Sequence, residues 1–333
     1  MNEIGVGILG LGRIAQDAHI PGVRGTTGMR LVAAADATAS RRERFAVELG
    51  CPIDEDIEAL LGRDDVGLVI VATPSRFHHE HVMAALRAGK HVMVEKPMAM
   101  SLAEAREMAA EARSRGRVLT VHHNRRFDGD YLAIRRLVEN GRLGNLVAVE
   151  RRFHRGAWIR EYAAQDYRPD WRLERAYGGG NLYDWGPHLF DQLLRLVGSR
   201  PRSLIAWLRS VRWSREVDDY FKVVLTWDGG TLGQIEASYV SQRPLPHWYV
   251  VGSDAALTQE SADSPIVLTS AGGSTEQLEP EKRSPERVYH DLVAAIRGER
   301  EPEITLDQCL EVMELIEASI VSARSSEVVQ LPP

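Results

Sequence analysis

The sequence predicts a chain in two parts: an α/β doubly wound parallel sheet over residues 1–124, then an α+β domain with a large, mostly antiparallel open sheet over residues 125–333. Three observations predict it. The 333 residues exceed what one ordinary core organises. In the first third, apolar strand-like runs alternate with amphipathic helical stretches, the pattern of a parallel sheet covered on both faces. Past residue 125, short alternating runs follow one another without intervening helices, as antiparallel strands do.

The first element is "EIGVGILGLGRIA", a short apolar strand that runs into glycines and then a helix. Gly10, Gly12 and Ala15 read G-x-G-x-x-A. Gly10 permits the tight turn, Gly12 lets a pyrophosphate approach the backbone, and Ala15 packs the helix closely on the strand. Arg13 and Ile14 open that helix and complete the candidate cofactor contacts of the turn. The second strand, "MRLVAAAD", ends at Asp36, roughly 20 residues past the fingerprint, where a carboxylate binds the adenosine ribose. The runs "VGLVIVATP", "EHVMAALRAG", "KHVMVEKP", "SLAEAREMAAEARSRG" and "RVLTVHH" continue the alternation. Together they predict a dinucleotide-binding domain of the Rossmann type. Asp36 favours NAD, because a carboxylate repels the 2′-phosphate of NADP; Arg41 or Arg42, close behind, offers that phosphate a partner, so NADP is the alternative.

Ligands of such sheets bind at the carboxyl ends of the strands. Thr73, Pro74, His78, Glu95, Lys96 and Asn124 follow those ends and are further candidate cofactor contacts. Lys96 is the one with chemistry: Pro97 pins it, and it is a usable proton donor or relay.

The second part begins with a helix, "YLAIRRLVENG", and the strand "NLVAVERRFH". The strands "SLIAWLRSVRW", "DYFKVVLTWDGG", "TLGQIEASYV" and "PHWYVVG" come later, with "WDGGT" as a hairpin turn. The chain returns to helix in "SPERVYHDLVAAIRG" and "TLDQCLEVMELIEASIVSARSS". Between strand and hairpin lies "GGGNLYDWGPHLFDQLLRLVG", an apolar helix that carries Asp184, His188 and Asp191 in one row. Gly186 and Pro187 predict a kink or an irregular first turn there. Asp184 and His188, one turn apart, suit a pair in which the imidazole takes a substrate hydroxyl proton and the carboxylate binds substrate or orients the ring. Asp191 reads as a cap or a salt-bridge partner. Trp158, Tyr162, Trp171 and Arg172, in the segment before this helix, are candidates for lining a sugar site.

Composition excludes several classes. A formal net charge of −6 argues against a nucleic-acid binder. The two cysteines, Cys51 and Cys309, cannot form a disulfide framework. Glu3 stands where a signal peptide would be basic, and no apolar run reaches the roughly 18 residues a membrane span needs. A soluble, cytoplasmic protein is expected. No metal is expected either: "HHEH" at 78–81 lacks the spacing of a metal-binding helix, and no cysteine joins Asp184 and His188.

The G-x-G-x-x-A turn, "ATPSRFHHEHVMAALRAGKHVMVEKP" and "GGGNLYDWGPHLFDQLL" resemble the Gfo/Idh/MocA family, the glucose–fructose oxidoreductase and inositol dehydrogenase group, over nearly the whole chain. The pairing of E-K-P with D-x-G-x-H is the specific part. "HNRRFDGD" and "VDDYFKVVL" are most similar to members that include NADP-dependent scyllo-inositol dehydrogenase-like proteins. The resemblance implies that Lys96 sits by the reacting hydroxyl or carbonyl and that a cis peptide precedes Pro97. It also implies that Asp184 and His188 bind substrate and exchange its proton, that Thr73, Pro74, His78 and Glu95 surround the cofactor, and that the chain forms a homodimer or homotetramer through the open sheet face. The expected activity is an NAD(P)-dependent dehydrogenase acting on a CH–OH group of a sugar, inositol or related polyol. The alternative is a non-catalytic NAD(P)-binding sensor of the same fold.

Overall fold

A computed structural model describes residues 3–157 and 170–332. Trp158 and Tyr162, named above as sugar-site candidates, lie outside the described residues. The chain divides into two compact units. Among the described residues, one unit holds everything through His122, the segment ending at Gly178, and Glu286–Met313; the other begins at His123 and holds Gly179–Pro285 and the chain from Glu314.

In the first unit, strands β1 (Ile4–Leu9), β2 (Met29–Ala35), β3 (Ile53–Asp54), β4 (Leu68–Val71), β5 (His91–Val94) and β6 (Leu119–Val121) form one parallel sheet in the order β3-β2-β1-β4-β5-β6. The order reverses direction between β1 and β4, which places a ligand crevice beyond their carboxyl ends. The strands are apolar on both faces because helices cover both: Val6, Ile8, Val69, Ile70 and Val92 are fully buried. After β1 the chain makes a π-helical turn, Ala15–His19, where Ile20 N–H donates to the Ala15 carbonyl. Helix α1 (Ile20–Gly25) follows, with Pro21 in its first turn. The wide turn accommodates a residue that has no N–H to give. Helices α2 (Ala39–Leu49), α3 (Ile57–Leu61), α4 (His78–Arg87) and α5 (Leu102–Ser114) complete the alternation. Ser101 starts α5 by accepting from Glu104 N–H, while the Glu104 carboxylate accepts from Met100 N–H.

In the second unit, α6 (Gly129–Glu139) and α7 (Asn181–Val197) accompany a nine-stranded sheet. Its strands are β7 (Leu146–His154), β8 (Ser203–Arg209), β9 (Tyr220–Thr226), β10 (Leu232–Ser238), β11 (Trp248–Gly252), β12 (Ala255–Gln259), β13 (Ile266–Ser270), β14 (Thr275–Leu278) and β15 (Val329–Gln330). All neighbours are antiparallel except β7 and β10. Helix α7 packs across β7, β9 and β10, on the face that buries Val149, Val223, Leu225 and Ile235. The opposite face carries Trp207, Leu232 and Tyr249, all exposed. The "WDGGT" turn joins β9 to β10 with Gly230 at φ +81°.

One local expectation changes, and the sheet proves larger than the sequence showed. Helix α7 runs unbroken through Gly186 and Pro187. A Cβ at Gly186 would stand 3.1 Å from the Leu182 side chain, so the glycine serves packing and no kink. The sheet also continues past Gly252 into three strands of four or five residues. Helices α8 (Arg287–Ile296) and α9 (Leu306–Ser325) lie between β14 and β15. No helix among the described residues is long and apolar enough to cross a membrane.

Candidate active site

The dinucleotide turn is built as its glycines require. Gly10 has φ +94°, and a Cβ there would stand 2.7 Å from the Ala72 carbonyl oxygen, so only glycine fits. Over Gly12 the space is open: an added Cβ would meet only Arg41 Nη1, at 3.8 Å. That opening is the cradle a pyrophosphate fills, and the backbone therefore fits a dinucleotide. Asp36 at the end of β2 draws the loop together. Its Oδ2 accepts from Leu11 N–H at 2.7 Å and its Oδ1 from Thr38 N–H at 2.8 Å. Arg41 Nη1 lies 3.3 Å from the same carboxylate, both groups buried. Gly10, Asp36, Arg41, Thr73 and Pro74 line a single cavity of about 320 Å³, together with Phe77 and His81. Arg13 is half-exposed beside Asp17, and Ile14 is half-buried.

At the ends of β5 and β6 the first unit concentrates titratable groups. The Lys96–Pro97 peptide is cis, and Lys96 is half-buried. His78 is spent on the main chain: Nδ1 lies 2.8 Å from the Pro97 carbonyl and Nε2 2.9 Å from that of Thr73. It thus braces the Lys96–Pro97 turn against the Thr73–Pro74 segment, and burial pushes its pKa down. Glu95 is buried, and its Oε1 lies 2.6 Å from His122 Nδ1 and 3.2 Å from His19 Nε2. Burial pushes its carboxyl up, but His122 and His19 overcome this and hold it well below the usual range. Among the described residues, these three form a buried group of potential metal ligands, the donor atoms within 4.8 Å of one another. Trp171 and Arg172 share a short turn, Trp171–Leu173, where the guanidinium lies 4.2 Å over the indole.

The second unit holds Asp184 and His188 on α7, one turn apart, and Asn124 at the start of the turn Asn124–Phe127. Asp184 is positioned by a partner the sequence did not reveal. Tyr239 donates its O–H to Asp184 Oδ2 at 2.7 Å and accepts from Trp185 Nε1 at 2.9 Å. The Trp185 ring lies between the stacked Phe153 ring, 3.4 Å away, and the Arg125 guanidinium at 4.5 Å. His188 is 7% exposed and meets Trp185 edge-on at 5.8 Å. Asp191 is a salt-bridge partner: Arg126 Nε and Nη2 reach its two oxygens at 2.7 and 2.6 Å, all buried. Asp218 caps α7 from outside, accepting from Leu182 N–H at 2.8 Å. Arg126 and Asp218 fall in "HNRRFDGD" and "VDDYFKVVL", but nothing local assigned them these partners; only the apolar alternation around Tyr239 marks its strand end.

Comparison with known proteins agrees with the fold. Residues 4–123 match GFO_IDH_MocA, an oxidoreductase family with an NAD-binding Rossmann fold, and residues 131–258 match the GFO/IDH/MocA C-terminal domain. Over 307 residues the chain is 30% identical to scyllo-inositol 2-dehydrogenase (NADP(+)) IolW of Bacillus subtilis, covering 83% of this chain and 82% of that protein. It is 30% identical over 312 residues to 1,5-anhydro-D-fructose reductase of Ensifer adhaerens, 90% of each chain being covered. The crystal structure of aldose-aldose oxidoreductase from Caulobacter crescentus, complexed with glycerol, matches at TM-score 0.87 and 26% identity, covering 99% of this chain and 100% of that one.

Proposed function

Because the chain belongs to the Gfo/Idh/MocA oxidoreductase family, we propose that it transfers a hydride between a secondary alcohol of a sugar, inositol or related polyol and the nicotinamide of NAD or NADP. Bound nicotinamide supplies the hydride chemistry at its C4. The Gly10–Gly12 turn and Asp36 hold the dinucleotide. His188 takes the hydroxyl proton during oxidation and returns it during reduction, Lys96 stabilises the developing alkoxide, and Asp184 accepts a substrate hydroxyl. Asp36 sets the preference toward NAD; Arg41, 3.3 Å from it, offsets part of its charge, so the preference over NADP is slight. Trp171 and Arg172 contribute to sugar recognition. The chain works as a homodimer or homotetramer through the sheet face that carries Trp207, Leu232 and Tyr249.

One observation carries this reading: α7 presents an Asp184 oriented by Tyr239 one turn before His188, in a chain that also has the dinucleotide cradle. The test is nicotinamide absorbance at 340 nm with NAD and NADP separately, against a panel of sugars, inositols and sugar acids. Turnover on one polyol class is expected. His188→Ala and Lys96→Met should each lower it by about 100-fold or more while cofactor affinity stays within a few-fold. Tight cofactor binding with no turnover on any polyol would instead favour the sensor.

A further inference from the structure

Glu95, His19, His122 and Tyr289 form a chain of contacts that the hydride-transfer reading leaves without a task. All four side chains are buried, and they come from four separate elements: the strand ends after β5 and β6, the π turn, and α8. Tyr289 Oη lies 3.0 Å from His19 Nδ1. Gly22 makes room for that phenol, since a Cβ there would stand 2.3 Å from the Tyr289 ring. The irregular backbone of the π turn is what carries His19, and such turns occur often at functional sites.

A metal does not fit the distances. Two donors about 2.1 Å from one zinc at tetrahedral angles stand about 3.4 Å apart. His122 Nδ1 and Glu95 Oε1 are 2.6 Å apart, the length of a charge-assisted hydrogen bond.

One proton arrangement satisfies every contact. Glu95 is a carboxylate, His122 donates from Nδ1, His19 donates from Nε2, and Tyr289 donates its O–H to His19 Nδ1. The second carboxylate oxygen accepts the Lys96 main-chain N–H at 3.2 Å. We infer that His19 and His122 are positioning residues: through Glu95 they hold the Lys96 main chain in place over a buried anion, and Tyr289 fixes the His19 tautomer that does so. The inference rests on the reading of Lys96 as the group beside the reacting oxygen.

The groups facing Glu95 are His19, His122, Tyr289, His78 and Lys96. Removing a histidine donor leaves burial, the largest influence on this carboxyl, less opposed. Glu95 then takes up a proton at a higher pH, and the Lys96 main-chain N–H is left with a neutral, weaker acceptor. The acid limb of the kcat pH profile should therefore move upward in His122→Ala and His19→Ala, with kcat down about 10- to 100-fold and the cofactor KM little changed. His122→Asn returns a donor where Nδ1 stood, and His19→Gln one where Nε2 stood. These variants should regain most of kcat and the parental pH profile.

The deciding experiment pairs those profiles with long-range proton–nitrogen NMR of the full chain, which reads histidine tautomers without any substrate. His122 protonated on Nδ1, and His19 protonated on Nε2 but not on Nδ1, together with rescue by Asn and Gln, is the expected result. The opposite tautomer at either ring overturns the network, as does zinc retained after dialysis and lost in His122→Ala. Unmoved pH profiles in both alanine variants, with Lys96→Met inactive, overturn the positioning role alone. Full turnover in Lys96→Met overturns the reading of Lys96, and the tautomers then judge the network by themselves.

Discussion

Gly10 and Gly12 stand two residues apart and fail differently when changed. At Gly10 the backbone has φ +94° and a Cβ would press on the Ala72 carbonyl at 2.7 Å. Gly10→Ala should therefore destabilise the fold itself, by about 2 kcal/mol or more. At Gly12 an added Cβ meets only Arg41 at 3.8 Å, so Gly12→Val should fold with the parental melting temperature yet bind NAD(P) at least about 10-fold more weakly. Thermal melts and calorimetric titration of the two variants check this, and equal melting losses in both would defeat it. These glycines, with Asp36, were legible in the sequence because the function needs them at fixed local spacing. Lys96 and His188 were picked out by the local patterns E-K-P and D-x-G-x-H, on which their proposed roles rest. Tyr239 was not: it reaches Asp184 across 55 residues, and no local pattern records a partner at that distance. Arg126 with Asp191 and Tyr289 with His19 were hidden in the same way.

Among the elements, α7 matters most, and its start depends on another segment. Gly180 precedes it with no side chain to offer, so the buried Asp218 supplies the cap, its Oδ2 to Leu182 N–H and its carbonyl to Asn181 N–H. Burial pushes the Asp218 carboxyl up to about 7, although the backbone donors oppose it. The folded value then lies above the unfolded one, near 3.9. Between those two values the folded chain binds the proton and the unfolded chain does not. This group's contribution to stability therefore falls as pH rises from about 4 to about 7, and changes no further above that. Asp218→Asn keeps an oxygen for Leu182 but carries no charge. Urea denaturation should show the variant gaining on the parent across that window, by up to about 1.4 kcal/mol per pH unit; a difference independent of pH would refute it. Asp218→Ala, which removes the acceptor, should lose about 1 kcal/mol of the cap at pH 4. The sequence showed α7 as an apolar helix but predicted a kink or an irregular first turn at Gly186–Pro187, because local propensity disfavours both residues. Packing of the buried helix on its sheet overrides that preference. Strands β12 to β14 went unseen because polar residues such as Thr258, Thr269 and Gln277 leave them no continuous apolar run.

For the whole molecule, the main consequence is that the first unit is not continuous in sequence. Glu286–Met313 joins the unit formed by the first 122 residues. Within it Tyr289 lies against Gly22 and His19, Val293 against Gly28, and Thr120 donates its hydroxyl to the Ile304 carbonyl. Tyr289, Leu292 and Val293 are at most 5% exposed. Burying three such side chains is worth about 5–9 kcal/mol as an upper bound, comparable with the roughly 5–15 kcal/mol that holds a whole domain together. A fragment of residues 1–124 should accordingly lack a cooperative thermal transition. Joining residues 286–313 to it through a flexible linker should restore one, along with NAD(P) binding by calorimetry. Circular dichroism melts of the two fragments decide the matter: a sharp transition and full cofactor affinity in residues 1–124 alone would show that the returning helix is dispensable to the dinucleotide fold. The helix pattern of "RVYHDLVAAI" is amphipathic whichever unit it packs on, so this return was beyond the reach of periodicity and needed the structure.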